Sequence, residues 1–89
     1  MLTKSTKVCI FGVWHLGAVT SACLAELGYS VVGFDSNESS VGALNQGLPP
    51  LFEPGLEDLF KVNLSVGRLR FTTDLADAVN GAQFVLLTI

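Results

Sequence analysis

The chain has 89 residues, of which 49% are apolar and 15% are charged, and its formal net charge at pH 7 is −3. It has only five Lys or Arg residues, which argues against a surface that binds the phosphates of nucleic acid. No apolar run approaches the ~20 residues of a membrane-spanning helix, and the first six residues carry no signal-peptide core.

The first predicted element is a strand over Lys7–Phe11, after a polar tail of residues 1–6 that we expect to be frayed. The apolar run at residues 8–11 is typical of a strand covered on both faces of a parallel sheet. Gly12 ends the run, and helical spacing then predicts a helix over residues 16–27 from the positions Leu16, Val19, Cys23 and Leu27. A strand that turns into a helix places the helix N–H groups at the strand's carboxyl edge, which is a site for an anion.

This turn carries part of a dinucleotide-binding fingerprint. Gly12 and Gly17 match the first and last glycines of G-x-G-x-x-G, but Trp14 stands where the middle glycine belongs. The second predicted strand, Ser30–Phe34, ends at Asp35, where the fingerprint places an acid that binds the adenosine ribose. Because a carboxylate there repels the 2′-phosphate of NADP, the cofactor predicted is NAD. The alternative role for Asp35 is that of a turn or helix-capping aspartate. The candidate cofactor-binding residues are Gly12, Val13, Trp14, His15, Leu16, Gly17 and Asp35.

The rest of the chain continues to alternate helices and strands. Further helices are predicted after Ser36 or Asn37, around residues 54–66, and after Thr73 or Asp74. The segment 68–72 alternates like an edge strand, and residues 83–89 form a strongly apolar last strand. The order β-α-β-α-α-β-α-β predicts an α/β fold with a doubly wound parallel sheet, Rossmann-like, with strands in the order 3-2-1-4. Residues 7–89 would form the first half of a dinucleotide-binding domain plus one strand.

The sequence contains no pattern for catalysis or for metal binding. It has no Ser/His/Asp or Cys/His set, no metal-ligand spacing, and Glu57 and Asp58 fall on the outer side of the third helix. Cys9 and Cys23 are expected to be reduced core residues of a cytoplasmic protein. His15 either donates to a phosphate or fills space. We therefore expect the substrate-side chemistry to lie outside these residues.

Two further motifs carry a resemblance to one family. Glu53-Pro54-Gly55-Leu56 and the stretch Arg-Leu-Arg-Phe-Thr-Thr-Asp at 68–74 are not general Rossmann features. With the glycine turn and Asp35, they make the chain resemble the NAD-binding domain of the UDP-glucose/GDP-mannose dehydrogenase family over residues 7–89. The resemblance implies NAD-dependent, two-step oxidation of the C6 alcohol of a nucleotide sugar, such as UDP-glucose, to a carboxylate through a cysteine thioester. Neither Cys9 nor Cys23 occupies the place of that cysteine.

The chain departs from the family's pattern at three positions. The family usually has glycine at the place of Trp14, tyrosine at the place of His15, and Lys or Arg at the place of Ser40, near the adenosine. Because a side chain at the middle glycine intrudes on the pyrophosphate, we expect weak NAD binding. The alternatives are a non-catalytic nucleotide-binding or protein-interaction module derived from this family, or another dehydrogenase of the same fold, against which the Glu-Pro-Gly-Leu motif argues.

The high apolar content has two interpretations. The chain is either an unusually buried small protein or a part of something larger, whose apolar faces other parts cover. The apolar last strand favours the second interpretation, with the chain as a fragment or the product of a truncated gene. Because an unpaired apolar edge strand recruits another chain, we also expect self-association as a homo-oligomer.

Overall fold

The structure, a computed structural model, describes residues 6–88. The elements are, in chain order, β1 (Lys7–Phe11), α1 (His15–Glu26), β2 (Ser30–Phe34), α2 (Glu38–Asn45), α3 (Leu56–Ser65), β3 (Leu69–Thr72), α4 (Leu75–Val79) and β4 (Phe84–Leu87). All neighbouring strands pair in parallel, and the sheet has the order β3-β2-β1-β4. The predicted α/β fold with strand order 3-2-1-4 is confirmed.

Helices α2 and α4 begin at side chains that cap them. Asn37, rather than Ser36, caps α2, because its Oδ1 accepts a hydrogen bond from the Ser40 N–H at 3.0 Å. Asp74, rather than Thr73, caps α4 by accepting from the Asp77 N–H at 3.2 Å. Each cap satisfies an N–H group that has no partner inside its helix. None of the helices within residues 6–88 is long and apolar enough to cross a membrane.

The tail predicted to be frayed is described only at its last residue. Thr6 is buried, and its carbonyl oxygen accepts a hydrogen bond from the Ser30 N–H at 3.1 Å. This bond extends the pairing of β1 with β2 by one residue toward the N-terminus. The expectation for residues 1–5 lies outside the described residues.

The larger core lies between one face of the sheet and the helices α1, α2 and α3. The rings of Phe60 on α3 and Phe71 on β3 stack at its centre with a centroid distance of 5.6 Å. The opposite face of the sheet carries a smaller cluster beneath α4, formed by Cys9, Val32 and Ala78. The larger core comprises Val8, Ile10, Val13, Ala18, Ala22, Ala25, Val31, Val41, Leu44, Leu56, Phe60, Leu69 and Phe71.

Helix α1 turns its small residues toward the sheet, while Leu16 in its first turn and Leu27 at its C-cap are exposed. Leu16 and Leu27 are 60% and 68% exposed. Cys23 is also exposed, so the expectation that both cysteines are core residues is correct for Cys9 and wrong for Cys23. Small side chains allow a helix to approach a sheet closely, and here that packing outweighs the burial of larger side chains. The buried residues of α1 are Gly17, Ala18, Ser21, Ala22 and Ala25.

Candidate functional site

The carboxyl ends of β1, β2 and β4 meet at one edge of the sheet. The Gly12 N–H donates to the Phe34 carbonyl at 2.9 Å, and the Thr88 N–H donates to the Phe11 carbonyl at 2.9 Å. The Thr88 hydroxyl donates to the Gly12 carbonyl as well. Strands β1 and β4 flank the point where the strand order reverses, which is where ligands bind in open parallel sheets. Thr88 is not among the residues that the sequence predicts for this site, although its place directly after β4 indicates this role.

The two fingerprint glycines are required by close contacts. Gly12 has φ +96°, and a Cβ there would lie 2.7 Å from the Thr88 carbonyl oxygen. A Cβ on Gly17 would lie only 1.9 Å from the Gly12 carbonyl oxygen. Helix α1 therefore packs directly against the turn, as the last glycine of the fingerprint permits. Val13, another predicted site residue, is buried beneath the turn and supports it.

The N-terminus of α1 has no capping side chain. Trp14 is the N-cap residue, but its side chain forms no capping hydrogen bond, and the first turn contains no acidic residue. The first backbone bond of the helix runs from the Ala18 N–H to the Trp14 carbonyl at 2.8 Å. The N–H groups of His15, Leu16 and Gly17 thus precede the intrahelical ladder and are suited to an anionic group such as a diphosphate.

The indole of Trp14 lies on the α2 side of Asp35. Trp14 is 60% exposed and has φ −70°, so its backbone does not require glycine. It lines a cavity of about 310 Å³ together with Asp35, Ser39, Ser40 and the segment 48–50. A second cavity, of about 230 Å³, is lined by Phe11, Gly12, Phe34, Asp35 and Ser36. Asp35 lines both cavities, whereas Trp14 lines only the first.

Asp35 has the turn role and keeps one carboxylate oxygen available for the ribose role that the sequence left open. Its Oδ1 accepts a hydrogen bond from the Asn37 N–H at 2.9 Å, which is the turn role. Its Oδ2 has no hydrogen-bond partner among residues 6–88 and can accept from the hydroxyls of a ribose. Phe11 and Phe34, with ring centroids 5.0 Å apart, line the adjoining cavity with apolar surface.

The imidazole of His15 contacts Glu53. Its Nε2 lies 3.0 Å from Oε1 of Glu53, in the connection that precedes α3, and its Nδ1 is buried without a partner among residues 6–88. The pair joins the Glu-Pro-Gly-Leu segment to the start of α1, a contact that the sequence did not predict. Leu16 can contribute only its backbone N–H to the site, because its side chain lines an outer groove with Val19 and Cys23.

Among residues 6–88, this edge of the sheet has neither a metal-binding group of side chains nor a reactive thiol. Within residues 6–88, no three His, Cys, Asp or Glu side chains form a group that could hold a metal ion. Burial raises the pKa of the Cys9 thiol, which keeps it in the unreactive protonated form. Cys23 lies on the outer side of α1, away from the turn.

The sequence profile of the UDP-glucose/GDP-mannose dehydrogenase family, NAD binding domain, matches residues 6–89. The chain belongs to this family. A GDP-mannose 6-dehydrogenase from Pseudomonas savastanoi pv. phaseolicola is 37% identical over 83 residues, which are 93% of this chain and 19% of that protein. A UDP-glucose 6-dehydrogenase from Rhizobium meliloti is 39% identical over the same shares of the two chains. The chain thus spans about a fifth of the length of these relatives.

Solved structures agree with this assignment. A ternary complex of GDP-mannose dehydrogenase from Pseudomonas aeruginosa has a TM-score of 0.88 and 36% identity, over 92% of this chain and 19% of that one. A UDP-glucose dehydrogenase from Pyrobaculum islandicum also has a TM-score of 0.88, with 34% identity over 96% of this chain and 20% of that one. The predicted family is confirmed, and the cofactor of this domain is NAD.

Proposed function

We propose that residues 7–89 bind NAD at the turn between β1 and α1, as the cofactor-binding part of a nucleotide-sugar 6-dehydrogenase. The observation that carries this proposal is the uncapped N-terminus of α1 beside the carboxylate of Asp35. The diphosphate faces the N–H groups of His15, Leu16 and Gly17, and the adenosine ribose faces Oδ2 of Asp35.

In a longer protein, the substrate would be a nucleotide sugar of the UDP-glucose or GDP-mannose type. This class is supported by relatives that are named as dehydrogenases of both sugars. Bound NAD supplies the hydride acceptor for oxidation of the C6 alcohol toward the carboxylate. Residues 6–88 bind and orient the cofactor, and they include no cysteine at the carboxyl edge of the sheet to form the thioester. The chain alone is therefore proposed to be inactive as a dehydrogenase.

We further propose a cytoplasmic location and a homo-oligomeric state. Both cysteines are free, which fits a reducing compartment. Among residues 6–88, the four residues of strand β4 are all exposed and apolar, which supports association with another chain or chain segment.

A non-catalytic module of the same family is the second candidate, and Trp14 favours it. Trp14 and Ser40 stand where the family usually has a glycine and a cation, and both line the cavity on one side of Asp35. A side chain at the middle glycine narrows the approach of the diphosphate to the backbone. We therefore propose that NAD binds more weakly here than in a chain with the complete fingerprint.

Isothermal titration of the 89-residue chain with NAD tests both candidates. Asp35→Asn should weaken NAD binding about tenfold or more, since a hydrogen bond to a charged group contributes about 1.5–3 kcal/mol. Asp58→Asn, which neutralises an exposed acid on α3, is the matched control and should leave the affinity unchanged. Equal affinities of wild type and Asp35→Asn would contradict the ribose role.

The variant Trp14→Gly distinguishes a cofactor site whose NAD affinity is weakened from a site that has lost NAD binding. Because the Trp14 backbone is extended and glycine is accepted at an N-cap, the substitution should not disturb the helix. We expect it to tighten NAD binding about tenfold, or about 1.4 kcal/mol. If neither wild type nor Trp14→Gly binds NAD, the chain is not a cofactor-binding domain. If both bind equally well, the indole is accommodated and our interpretation of Trp14 is wrong.

A further inference from the structure

The side chain of His15 joins the first turn of α1 to the connection that precedes α3. Its Nε2 lies 3.0 Å from Oε1 of Glu53, and the two side chains are 31% and 49% exposed. An ionised carboxylate only accepts hydrogen bonds, so the hydrogen of this contact stands on Nε2. The second ring nitrogen, Nδ1, is buried and has no hydrogen-bond partner within residues 6–88. A proton is therefore gained or lost at Nδ1, and no partner among those residues fixes either state.

The two charge states of this pair differ at the place proposed for the diphosphate. With a neutral ring the pair carries the negative charge of Glu53, and with a cationic ring it carries no net charge. His15 is the first residue of α1, and its own N–H precedes the intrahelical ladder. The helix dipole disfavours a cation at this end of the helix, whereas Glu53 favours one. A bound diphosphate, with a negative charge on each phosphate group, adds to the forces that favour the cation.

The side chains that line the cavities around the turn provide no other cation. Three cavities contain residues of the turn, and none of their lining residues is Lys or Arg. The lining includes two carboxylates, those of Asp35 and Glu53. Ser40 stands where the family usually has Lys or Arg, and it lines one of these cavities. His15 is thus the one lining residue that can carry a positive charge beside a diphosphate.

The other titratable groups on the elements around His15 are acids, a thiol and a lysine. They are Cys23 and Glu26 on α1, Glu53 before α3, and Glu57, Asp58 and Lys61 on α3. In general, carboxylates ionise near about pH 4, and thiols and lysines lose a proton above about pH 8. Between about pH 5.5 and pH 7.5, histidine is therefore the side chain of this region that changes its charge.

We propose that His15 supplies the cation of the NAD site, because binding of NAD takes up a proton at the pair of His15 and Glu53. The proton comes from the solvent and is held at Nδ1, while the hydrogen on Nε2 stays in its contact with Glu53. This inference rests on the NAD binding proposed above and adds a dependence on pH to it. NAD binds more tightly as the pH falls through the range in which an imidazole titrates. The tyrosine that the family usually has at this place stays neutral in that range, so relatives with the tyrosine should lack the dependence.

Isothermal titration of the 89-residue chain with NAD at about pH 5.5 and pH 7.5 measures this dependence. A partly exposed charge changes the affinity by about fivefold, or about 1 kcal/mol. We expect about threefold tighter binding at the lower pH, since part of the fivefold change falls outside this range. The binding enthalpy, compared between two buffers of different ionisation enthalpy, should show uptake of at most about 0.4 proton per NAD.

A second measurement follows the imidazole itself. His15 is the only histidine of the chain, so it gives one imidazole signal in a proton NMR spectrum. The midpoint of the pH titration of that signal should rise by about 0.7 pH unit at saturating NAD, which corresponds to the fivefold change in affinity. This measurement requires no variant, and it reports on the proton directly.

Three variants separate the charge of the pair from its packing. His15→Gln keeps a donor for Glu53 but cannot be charged, so NAD should bind to it with the same affinity at both pH values. Glu53→Gln removes the negative charge and should tighten NAD binding about threefold to fivefold at the higher pH. Asp58→Asn, at an exposed position on α3, is the matched control and should keep the wild-type affinity and pH dependence. Circular dichroism confirms that each variant is folded.

The proposal is overturned if NAD binds with equal affinity at both pH values and without uptake of a proton. An imidazole signal that titrates at the same pH with and without NAD would equally overturn it. So would a His15→Gln variant that keeps the wild-type pH dependence, or equal effects of Glu53→Gln and Asp58→Asn. In each of these cases NAD still binds, and the proposed function stands. Absence of NAD binding at every pH would instead contradict the proposed function, and the role of His15 with it.

Discussion

Replacing Gly17 by alanine should destabilise the fold even though alanine is the better helix former. The new Cβ would lie 1.9 Å from the Gly12 carbonyl oxygen and 2.8 Å from Oγ1 of Thr88. Since the first of these is a backbone atom, α1 or the turn has to move. Overpacking of this kind costs about 1–3 kcal/mol, and the overlap of more than 1 Å places Gly17→Ala at the upper end. Alanine returns at most about 1 kcal/mol in helix propensity, so about 2 kcal/mol of destabilisation remains.

Gly42→Ala is the matched control for this substitution. Gly42 is also helical, in α2, but a Cβ there would have nothing within 4 Å. We expect Gly42→Ala to stabilise the protein by up to about 1 kcal/mol and Gly17→Ala to lower Tm by roughly 10 °C. Thermal unfolding followed by circular dichroism at one protein concentration measures both. An unchanged or raised Tm for Gly17→Ala would refute the close contact between α1 and the turn.

Three further predictions concern charge, burial and activity. The hydrogen bonds from Arg70 to Asp77, at 2.6 and 3.0 Å, hold the pKa of Asp77 below its usual range. Because this pKa is lower in the folded than in the unfolded state, the ionised carboxylate of Asp77 stabilises the fold at a pH above the unfolded-state pKa. The Tm difference between wild type and Asp77→Asn should therefore be present at neutral pH and disappear as the pH falls below about 4. Asn63 is fully buried and accepts from Nε of Arg68 at 3.0 Å, so Asn63→Ala should lower the free energy of unfolding in urea by about 1–3 kcal/mol. The purified chain should not reduce NAD with UDP-glucose in an absorbance assay, because residues 6–88 place no catalytic group at the carboxyl edge of the sheet.

The fold could be predicted because its determinants are local. The bounds of β1 and β2 agree with the sequence prediction, since a strand covered on both faces is a continuous apolar run that ends in turn residues. The caps at Asn37 and Asp74 were among the candidates because a capping side chain stands directly before its helix. Right-handed crossovers then leave few ways to order the strands.

The contacts that complete the site are not local, and sequence patterns do not reveal them. The pair of His15 and Glu53 joins residues 38 positions apart, and the hydroxyl of Thr88 reaches a carbonyl 76 positions away. The exposure of Leu16 on α1 and of Leu27 at its C-cap also has a tertiary cause. The periodic spacing predicts a helix, but which face of the helix packs on the sheet depends on how closely the helix must approach the turn at Gly17.

Trp14 and Ser40, where the chain departs from the family's pattern, affect the same part of the site. Both residues line the same cavity on the α2 side of Asp35, while the cavity between Gly12 and Asp35 does not include the indole. We therefore expect the ribose side of the site to be open, and any loss of NAD affinity to come from the diphosphate contact and from the missing cation. An exposed charge contributes about 1 kcal/mol or less, so we expect Trp14, rather than Ser40, to account for most of that loss. Trp14→Gly should therefore restore most of the affinity, because it changes how closely a diphosphate approaches the first turn of α1.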